Sequence, residues 1–346
     1  MDEETKLIRR IARAVPSETG VRKGAGRRAG GLRLGIGNDG AVLAPSGRAE
    51  WVLSCDAFLE GVHFLADRHP AESVGYKALA RATSDLAAMG ATPRYFLLTL
   101  ALPLRRTGGW LDEFLRGMAK ASRQLGIRLI GGDTKRHASV AISVTVLGEI
   151  ARGLAVTRAG ARPGDLIYIS GKLGAAQLGL LMLKRHRDLT FKPSLGGRFS
   201  PLRAHLYPQI RVSLGTWIAK NRIASAMMDI SDGLSTDLTR LCEASGVGAR
   251  IWADRIPRVE VPPENQGSLR PKKQFDPLEL ALNGGEDYEL LFTVSPKNEK
   301  KLRRASGFKD LTPIGRIERG RKILLVGTDG KAKRLVSGGW NPFRKK

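Results

Sequence analysis

Apolar residues recur at helical spacing in some segments of the chain and form short continuous runs in others, which predicts a mixture of helices and strands. In the first part this pattern predicts helices over 3–15, 73–89 and 110–125 and strands over 51–55, 95–101, 128–130 and 140–147. In the second part it predicts strands over 166–170, 226–230, 249–253 and 288–294 and helices over 173–185, 209–220 and 234–245. The segments 186–208 and 257–275 are polar and rich in proline, and are predicted to be loops.

The stretch 151–165, with the sequence ARGLAVTRAGARPGD, interrupts this pattern with glycine, arginine and proline. We place a domain boundary there, which gives an N-terminal domain over 1–150 and a C-terminal domain over 151–346. The alternation of strands and helices predicts an α/β or α+β layered fold in two domains.

Composition and charge narrow the classes of function. The chain has 346 residues, 42% of them hydrophobic, and 58 Lys+Arg against 33 Asp+Glu give a formal net charge of +25. This excess favours an anionic partner such as nucleic acid, phosphate or a nucleotide. The two cysteines, Cys55 and Cys242, cannot form a disulfide framework. The longest apolar run, 95–104, is too short to span a membrane, and the acidic N-terminus does not resemble a signal peptide, so we expect a soluble cytoplasmic protein.

Two glycine-containing motifs partly match the consensus sequences of phosphate-binding loops but lack other features that those loops require. Gly35 to Gly40 reads G-x-G-x-x-G, but the residues that follow are strand-like and end at Pro45, whereas a dinucleotide-binding turn opens a helix. In Ser170-Gly171-Lys172 the next residue is Leu173, where a P-loop requires serine or threonine. We therefore assign neither motif to a nucleotide site.

Six aspartates lie among small or apolar residues, where a carboxylate needs a cation, a helix cap or a metal ion. Taken singly, each has a structural explanation: Asp85 can pair with Arg81 one helical turn earlier, and Asp232 can cap the helix that follows it. Taken together in a basic protein, they indicate a site for magnesium and a nucleotide, because the metal ion reconciles carboxylates with phosphate. The six are Asp39, Asp56, Asp85, Asp133, Asp229 and Asp232.

Three further positions are candidates for chemistry. His63, next to Phe64, is either a structural histidine or a ligand-binding one. Glu286 and Asp287 follow two glycines, which indicates either a tight turn that presents carboxylates or a solvated turn. Trp340 follows Gly338-Gly339 and is either a packing anchor or an aromatic face for a ligand.

These segments together resemble thiamine-monophosphate kinase, a family in the same superfamily as aminoimidazole ribonucleotide synthetase. The resemblance follows the family's order of motifs over nearly the whole chain. The motifs are GIGNDGAVL (35–43), LSCDAFLEGVHF (53–64), GYKALARATSDLAAMGATP (75–93), LIGGDTKR (129–136), VTRAGARPGDLIYISG (156–171), MMDISDGLSTDL (227–238), NGGEDYELLFTV (283–294) and GGWNPF (338–343).

The resemblance implies transfer of the γ-phosphoryl group of ATP to thiamine monophosphate, which gives thiamine diphosphate and ADP. It implies several magnesium ions, with ATP as co-substrate. It also implies a homodimer formed through the N-terminal domains, which would bind ATP and magnesium, while the C-terminal domain completes the nucleotide and substrate site.

The resemblance also assigns roles to residues. It implies ATP contacts for Gly132, Asp133, Arg158 and Ser231, and contacts to thiamine monophosphate for His63, Glu286 and Trp340. Its implied metal ligands are Asp39, Ser54, Cys55, Asp56, Asp85, Asp133, Asp229 and Asp232, and its implied catalytic set is Asp39, Asp56, Asp133, Arg158 and Asp232.

Three positions depart from the family's pattern: Asn38 where a second aspartate is usual, Cys55 where a hydroxyl residue is usual, and Pro342 where histidine is common. Magnesium binds thiols poorly, so Cys55 can serve only through its backbone carbonyl. We expect weaker magnesium affinity that is not abolished.

Two other functions remain as alternatives. One is a different ATP-using reaction of the same superfamily, such as aminoimidazole ribonucleotide or selenophosphate synthesis; no reactive cysteine precedes Cys55, which argues against the latter. The other is a non-catalytic nucleic-acid binder, which we do not favour because the sequence shows no basic strip interleaved with aromatic residues.

Overall fold

The computed structural model describes residues 32–34, 40–43, 47–185, 200–260, 275–304, 307–308 and 310–343. The predicted helix 3–15 and the candidate ligand Asp39 lie outside these residues. The chain divides into two compact units. Unit 1 consists of 1–157, 209–222 and 341–346, and unit 2 of 158–208 and 223–340.

Unit 1 is a six-stranded sheet with helices packed on one face. The strands are β1 (Leu32–Leu34), β2 (Ala41–Leu43), β3 (Ala49–Leu59), β4 (Thr92–Leu102), β5 (Arg128–Arg136) and β6 (Ala141–Ala151), in the order β1-β2-β3-β6-β4-β5. The pairs are antiparallel except β4 with β5, which are parallel. The helices are α1 (Ala71–Ala88) and α2 (Gly109–Leu125), the latter ending at Gly126 in the left-handed conformation.

Unit 2 is a seven-stranded sheet. Its strands are β7 (Leu166–Ile169), β8 (Ala224–Ile230), β9 (Gly248–Trp252), β10 (Glu289–Val294), β11 (Thr312–Glu318), β12 (Ile323–Val326) and β13 (Ala332–Arg334), in the order β13-β12-β9-β11-β7-β10-β8. Its helices are α3 (Ala175–Arg185), α4 (Pro201–Leu206), α6 (Leu234–Ser245), α7 (Pro277–Asn283) and α8 (Pro296–Arg303). Leu238, Leu241 and Cys242 of α6 share one core with Ile251 and Ile317 of the sheet.

One predicted helix joins a different unit from the one the sequence indicated. Helix α5 (Val212–Lys220) falls within 151–346 but belongs to unit 1. Its buried residues include Leu214, Ile218 and Ala219, and the helix packs against α1. The sequence pattern reveals that these residues form an apolar face but not which surface the face covers.

The predicted layered α/β class is confirmed, and most predicted helices and strands are present. The predicted loop 186–208 contains α4 from residue 201, which the sequence analysis missed because this helix has only six residues. The sequence analysis also did not predict α7, α8 and the last three strands. No helix in the described part of the chain is long and apolar enough to cross a membrane.

Candidate functional site

Three turns of unit 2 lie against one another, and we call them the turn cluster. The backbone N–H of Glu286 donates to the carbonyl of Ser231 at 2.8 Å, and that of Trp340 donates to the carbonyl of Asp232 at 3.0 Å. A Cβ atom on Gly339 would lie 1.9 Å from the Asp232 carbonyl oxygen, so only glycine permits this approach. The turns are residues 231–233, 283–287 and 338–340.

Asp237, in the first turn of α6, fixes the 231–233 turn. Its buried carboxylate accepts hydrogen bonds from the backbone N–H groups of Ser231 at 3.1 Å and Asp232 at 3.0 Å. Burial, followed by the charge of Asp232, raises the pKa of Asp237 well above its usual range. Arg240 is hydrogen-bonded to Asp232 and lies 3.3 Å from Asp237. The turn is therefore held by one carboxylate and one guanidinium.

The alternative that Asp232 caps α6 is wrong. The N-cap residue of the helix is Gly233, with φ 105°, and no side chain caps the helix. Asp232 instead forms an ion pair with Arg240, and both side chains are about one-fifth exposed. The nearby Asp229 is buried. The charge of Asp229 also raises the pKa of Asp237, so Asp229, Asp232 and Asp237 are close enough to influence one another's charge.

Glu286 has a strained backbone, with φ 70°. Its carboxylate lies 3.3 Å from Nδ1 of the buried His205 on α4. Positive φ in a residue other than glycine costs free energy and persists only where the surroundings impose it. Here the neighbouring Tyr288 also has positive φ, and its N–H donates to the carbonyl of Ile230 at 2.9 Å.

Asp287 anchors the same turn to a helix. Its half-buried carboxylate accepts hydrogen bonds from the backbone N–H groups of Gly174 at 2.7 Å and Ala176 at 3.1 Å, where α3 begins. Burial raises the pKa of Asp287 to about 7, against these hydrogen bonds, which favour the charged form. The Asp287 carboxylate is therefore neither solvated nor presented to a ligand, which differs from both sequence alternatives for this residue.

The other unit 2 candidates differ in exposure. Trp340 is 48% exposed, so much of its indole is accessible to solvent, unlike a buried packing anchor. Arg158 is half-buried, and its carbonyl accepts a hydrogen bond from Ser245 at 3.0 Å.

In unit 1, two aspartates are held by neighbours on the sheet and on α1. Asp56 on β3 lies 3.2 Å from Nε of Arg81. Asp85 on α1 accepts a hydrogen bond from the hydroxyl of Ser54. Arg81 also donates to the carbonyl of Ala57 at 2.9 Å. These contacts bring the predicted ligands Ser54, Asp56 and Asp85 to the same stretch of α1 and β3.

The remaining candidates of unit 1 make simpler contacts. The thiol of Cys55 lies 3.4 Å from the Ser143 hydroxyl and 3.3 Å from that of Thr145, on the neighbouring strand β6. Nδ1 of His63 accepts a hydrogen bond from the N–H of Leu59 at 3.0 Å, and its ring lies 5.7 Å from that of Phe58. His63 is thereby fixed in orientation.

Gly132 and Asp133 lie on the edge strand β5. Gly132 is opposite Leu98 of β4, and a Cβ atom there would lie 1.9 Å from the Leu98 carbonyl oxygen. The glycine is therefore required by strand packing. Asp133 is exposed and lies 3.2 Å from the ammonium group of Lys135.

The donor set suits magnesium in chemistry. Its side-chain atoms are carboxylate and hydroxyl oxygens, which are the hard ligands that magnesium prefers, apart from Cys55. Within the part of the chain that the structure describes, no three Asp, Glu, His or Cys side chains are grouped as a metal site. Magnesium is commonly held by one or two carboxylates together with substrate phosphates and waters, so the residues present fit such an ion.

Comparison with known families identifies the chain. Two family models match it, "AIR synthase related protein, N-terminal domain" over 37–150 and "AIR synthase related protein, C-terminal domain" over 162–327. Thiamine-monophosphate kinase of Buchnera aphidicola subsp. Acyrthosiphon pisum is 39% identical over 269 residues, 78% of this chain and 79% of that protein. That of Bacillus subtilis is 33% identical over 315 residues, 90% and 94% of the two chains. This chain belongs to the thiamine-monophosphate kinase family.

Solved structures agree with this assignment. The structure "AaThiL complexed with AMPPCP and TMP" is 31% identical and superposes with a TM-score of 0.81 over 98% of this chain and 97% of that one. The thiamine-monophosphate kinase of Stenotrophomonas maltophilia is 36% identical, with a TM-score of 0.72 over 88% and 92% of the chains. The family, the two-domain fold and the phosphotransferase class predicted from the sequence are therefore confirmed.

The sequence analysis missed three residues that shape the turn cluster. Asp237 lies between Leu234 and Leu238 on the apolar stripe of α6. A carboxylate on the buried side of a helix indicates that it binds a specific polar partner, so this residue could have been identified from the sequence. Arg240 follows one turn later. His205 is in a segment predicted to be a loop, where no pattern marks it.

Proposed function

We propose that this protein transfers the γ-phosphoryl group of ATP to the phosphate of thiamine monophosphate, giving thiamine diphosphate and ADP. The observation that carries the proposal is the turn cluster, because it joins three sequence motifs that are far apart in the chain. Relatives of 33–39% identity bear the name thiamine-monophosphate kinase, and a structural neighbour contains AMPPCP and TMP.

In this proposal Glu286, Trp340 and His63 bind thiamine monophosphate. Thiamine carries a permanent positive charge on its thiazolium ring, which an aromatic face and a carboxylate both stabilise. The exposed indole of Trp340 and the strained, preorganised carboxylate of Glu286 supply these two groups in unit 2. His63 in unit 1 accepts a hydrogen bond from the Leu59 N–H at Nδ1, which fixes the orientation of the ring that would contact the substrate.

The nucleotide would be bound by Gly132, Asp133, Arg158 and Ser231. Arg158 is the cation of this set and would neutralise charge on the transferring phosphates, as guanidinium groups do in other phosphoryl-transfer enzymes. Ser231 lies in the turn that Asp237 fixes, so its position is set before a ligand binds. Gly132 allows β4 and β5 to lie close together, and this pairing places Asp133 opposite Thr99 of β4.

Magnesium ions would be held by the carboxylates of unit 1 and of the turn cluster. When bound, they neutralise the phosphate charges and orient the two phosphates for transfer. The proposed ligands are Asp39, Ser54, Cys55 through its carbonyl, Asp56, Asp85, Asp133, Asp229 and Asp232. Of these, Asp39, Asp56, Asp133 and Asp232 form the proposed catalytic set with Arg158.

The reaction needs no general base, because the attacking oxygen of the substrate phosphate is deprotonated near neutral pH. Catalysis would therefore come from alignment and charge neutralisation. The protein contributes preorganised turns, which hold their polar groups at fixed positions and reduce the reorganisation required on binding. ATP use also favours the cytoplasm as the site of action.

We also propose a homodimer formed through unit 1. All nine residues of the edge strand β5 are exposed, including Leu129 and Ile130 at 54% and 57%. A long exposed apolar edge is a surface for pairing with another strand. Light scattering should show a dimer that Leu129→Lys with Ile130→Lys dissociates, while Leu115→Lys on α2 leaves it intact. A wild-type monomer would contradict this proposal.

The first test of the kinase is thiamine diphosphate formation from ATP and thiamine monophosphate during a magnesium titration. Asp232→Asn should lower kcat by about a hundredfold or more, whereas Asp112→Asn on the exposed start of α2 should leave it unchanged. Absence of product from folded wild-type protein at every magnesium concentration would overturn the proposal. ADP release that depends on an aminoimidazole precursor would instead favour the other superfamily reaction.

A further inference from the structure

One face of the unit 2 sheet carries a row of arginines. Strand pairing places Arg334 of β13 opposite Leu324 of β12, Leu324 opposite Arg250 of β9, and Arg250 opposite Arg316 of β11. Directly paired residues point to the same face of a sheet, so these side chains form a row across four strands.

A tryptophan lies beside this row. Trp252 is two residues after Arg250 on β9, so its side chain is on the same face. The guanidinium of Arg255 lies 4.5 Å from the centre of the indole ring, and that of Arg316 lies 5.8 Å from it. We call the set Arg250, Trp252, Arg255, Arg316 and Arg334 the Arg–Trp face.

Three arginines of the Arg–Trp face, Arg255, Arg316 and Arg334, are exposed to solvent. The opposite face of the same strands carries Ala249, Ile251 and Ile317, which are buried in the core with α6. On the Arg–Trp face itself, Arg250, Trp252 and Leu324 are half-buried and Val326, opposite Trp252, is buried, so the accessible part of this face consists mainly of arginines.

The Arg–Trp face and the neighbouring turn between β11 and β12 carry a net positive charge even when their ion pairs are taken into account. Glu318 binds Arg250 at 2.6 Å and so neutralises one arginine of the row. Asp254 adds one further carboxylate next to Arg255. The turn between β11 and β12 contributes Arg319, Arg321 and Lys322, all exposed, and 310–343 contains seven basic and three acidic residues.

We propose that the Arg–Trp face binds single-stranded nucleic acid. The exposed Arg316 and Arg334 are three strand spacings apart, roughly 14 Å, with Arg250 between them, so the row can follow a phosphate backbone over several nucleotides. Guanidinium planes and indoles both stack on unpaired bases. Charge complementarity selects a polyanion, and the tryptophan among the arginines selects one with aromatic bases. The turn at the end of β8 lies at the opposite edge of the sheet, so within unit 2 this surface is separate from the turn cluster.

The sequence could not show this surface. Trp252, Arg316 and Arg334 are separated by up to 82 residues and become neighbours only through strand pairing. The basic strip interleaved with an aromatic residue, which the linear sequence lacks, is assembled by four strands.

The test is binding of a fluorescein-labelled 20-nucleotide RNA of mixed sequence, measured by anisotropy over a series of KCl concentrations. The variant combines Arg255→Gln, Arg316→Gln and Arg334→Gln. It should weaken binding at least tenfold and reduce the slope of log Kd against log salt by about 2, because each phosphate contact on a single strand contributes about 0.7.

A matched control removes three exposed arginines from unit 1, with Arg105→Gln, Arg116→Gln and Arg123→Gln. It should change Kd less than twofold, and both variants should keep the wild-type melting temperature. Equal weakening by both variants would show that binding reflects only net charge and would overturn the proposal. No salt-dependent binding by wild type at low salt, or tighter binding of a 20-base-pair duplex, would also overturn it.

Discussion

The two regions that carry the proposed kinase residues hold their carboxylates in different ways. In the turn cluster, Asp237 is buried and Asp287 half-buried, and both accept hydrogen bonds from backbone N–H groups, so they fix the backbone of the turns. In unit 1, Asp56 and Asp133 are partly exposed and pair with the side chains of Arg81 and Lys135. Preorganisation in unit 2 is thus built into the folded core, whereas the carboxylates of unit 1 can exchange their cationic partners for another cation.

The largest expected difference between the two regions is in stability. Asp237→Ala removes the acceptor of two backbone N–H groups and a neighbour of Arg240, and should lower the free energy of unfolding by about 3 kcal/mol. Asp56→Ala removes one partly exposed ion pair and should cost about 1 kcal/mol or less. Urea unfolding of both variants measures the difference.

Asp237→Asn refines this comparison because it retains one acceptor oxygen in the same shape. It should recover more than half of the loss seen with alanine. Equal losses for Asp237→Ala and Asp56→Ala would show that burial of the turn-cluster carboxylates does not stabilise the fold.

The second-largest expected difference is in the pH dependence of the free energy of unfolding, which we expect at Asp287 and not at an exposed carboxylate. The pKa of Asp287 is raised to about 7 in the folded protein, from an ordinary value of 3.8. Between these two values the folded state holds the proton and the unfolded state has lost it, so stability falls as pH rises and levels off above 7. The neighbouring carboxylates Glu286 and Glu289 act in the same direction, and burial is the largest cause.

Asp287→Asn cannot lose a proton, so its free energy of unfolding relative to wild type should rise by about 2–3 kcal/mol from pH 5 to pH 8. Unfolding curves at both pH values test this. Asp112→Asn, at an exposed position on α2, should show a difference of no more than about 0.3 kcal/mol. A constant difference between wild type and Asp287→Asn would contradict the raised pKa.

Much of the fold was predictable because it depends on local periodicity. Helix α6 spans the predicted 234–245, and α2 ends at the predicted Gly126. The placement of α5 in unit 1 was not predictable, since an apolar stripe does not identify its partner. For the candidate site, the exposed motif residues could be named, but the residues that hold them, such as His205, gain their role only when distant segments meet.

A substitution at Glu286 should affect substrate binding much more than it affects the stability of the turn cluster. Glu286→Gly relieves the strain at φ 70° but also removes the carboxylate 3.3 Å from the buried His205, so the two effects oppose each other and the free energy of unfolding should change by less than about 1 kcal/mol. The same change should raise KM for thiamine monophosphate at least tenfold, because the carboxylate is the proposed partner of the thiazolium. Thermal melting and steady-state kinetics measure the two effects, with Glu279→Gly in α7 as a control that should destabilise without changing KM.

The smallest effect concerns the departures in unit 1. Replacing Asn38 with Asp and Cys55 with Thr restores the charge and hydroxyl that the family pattern has at these positions, and should lower the magnesium concentration at half-maximal activity by a few-fold. The change should be confined to magnesium dependence, because threonine can keep the contacts that the Cys55 thiol makes with the hydroxyls of Ser143 and Thr145. Cys242→Ser in the core of unit 2 should leave the magnesium dependence unaltered. An unchanged magnesium requirement in the double variant would contradict the expected weakening and would show that the remaining proposed ligands set the affinity without positions 38 and 55.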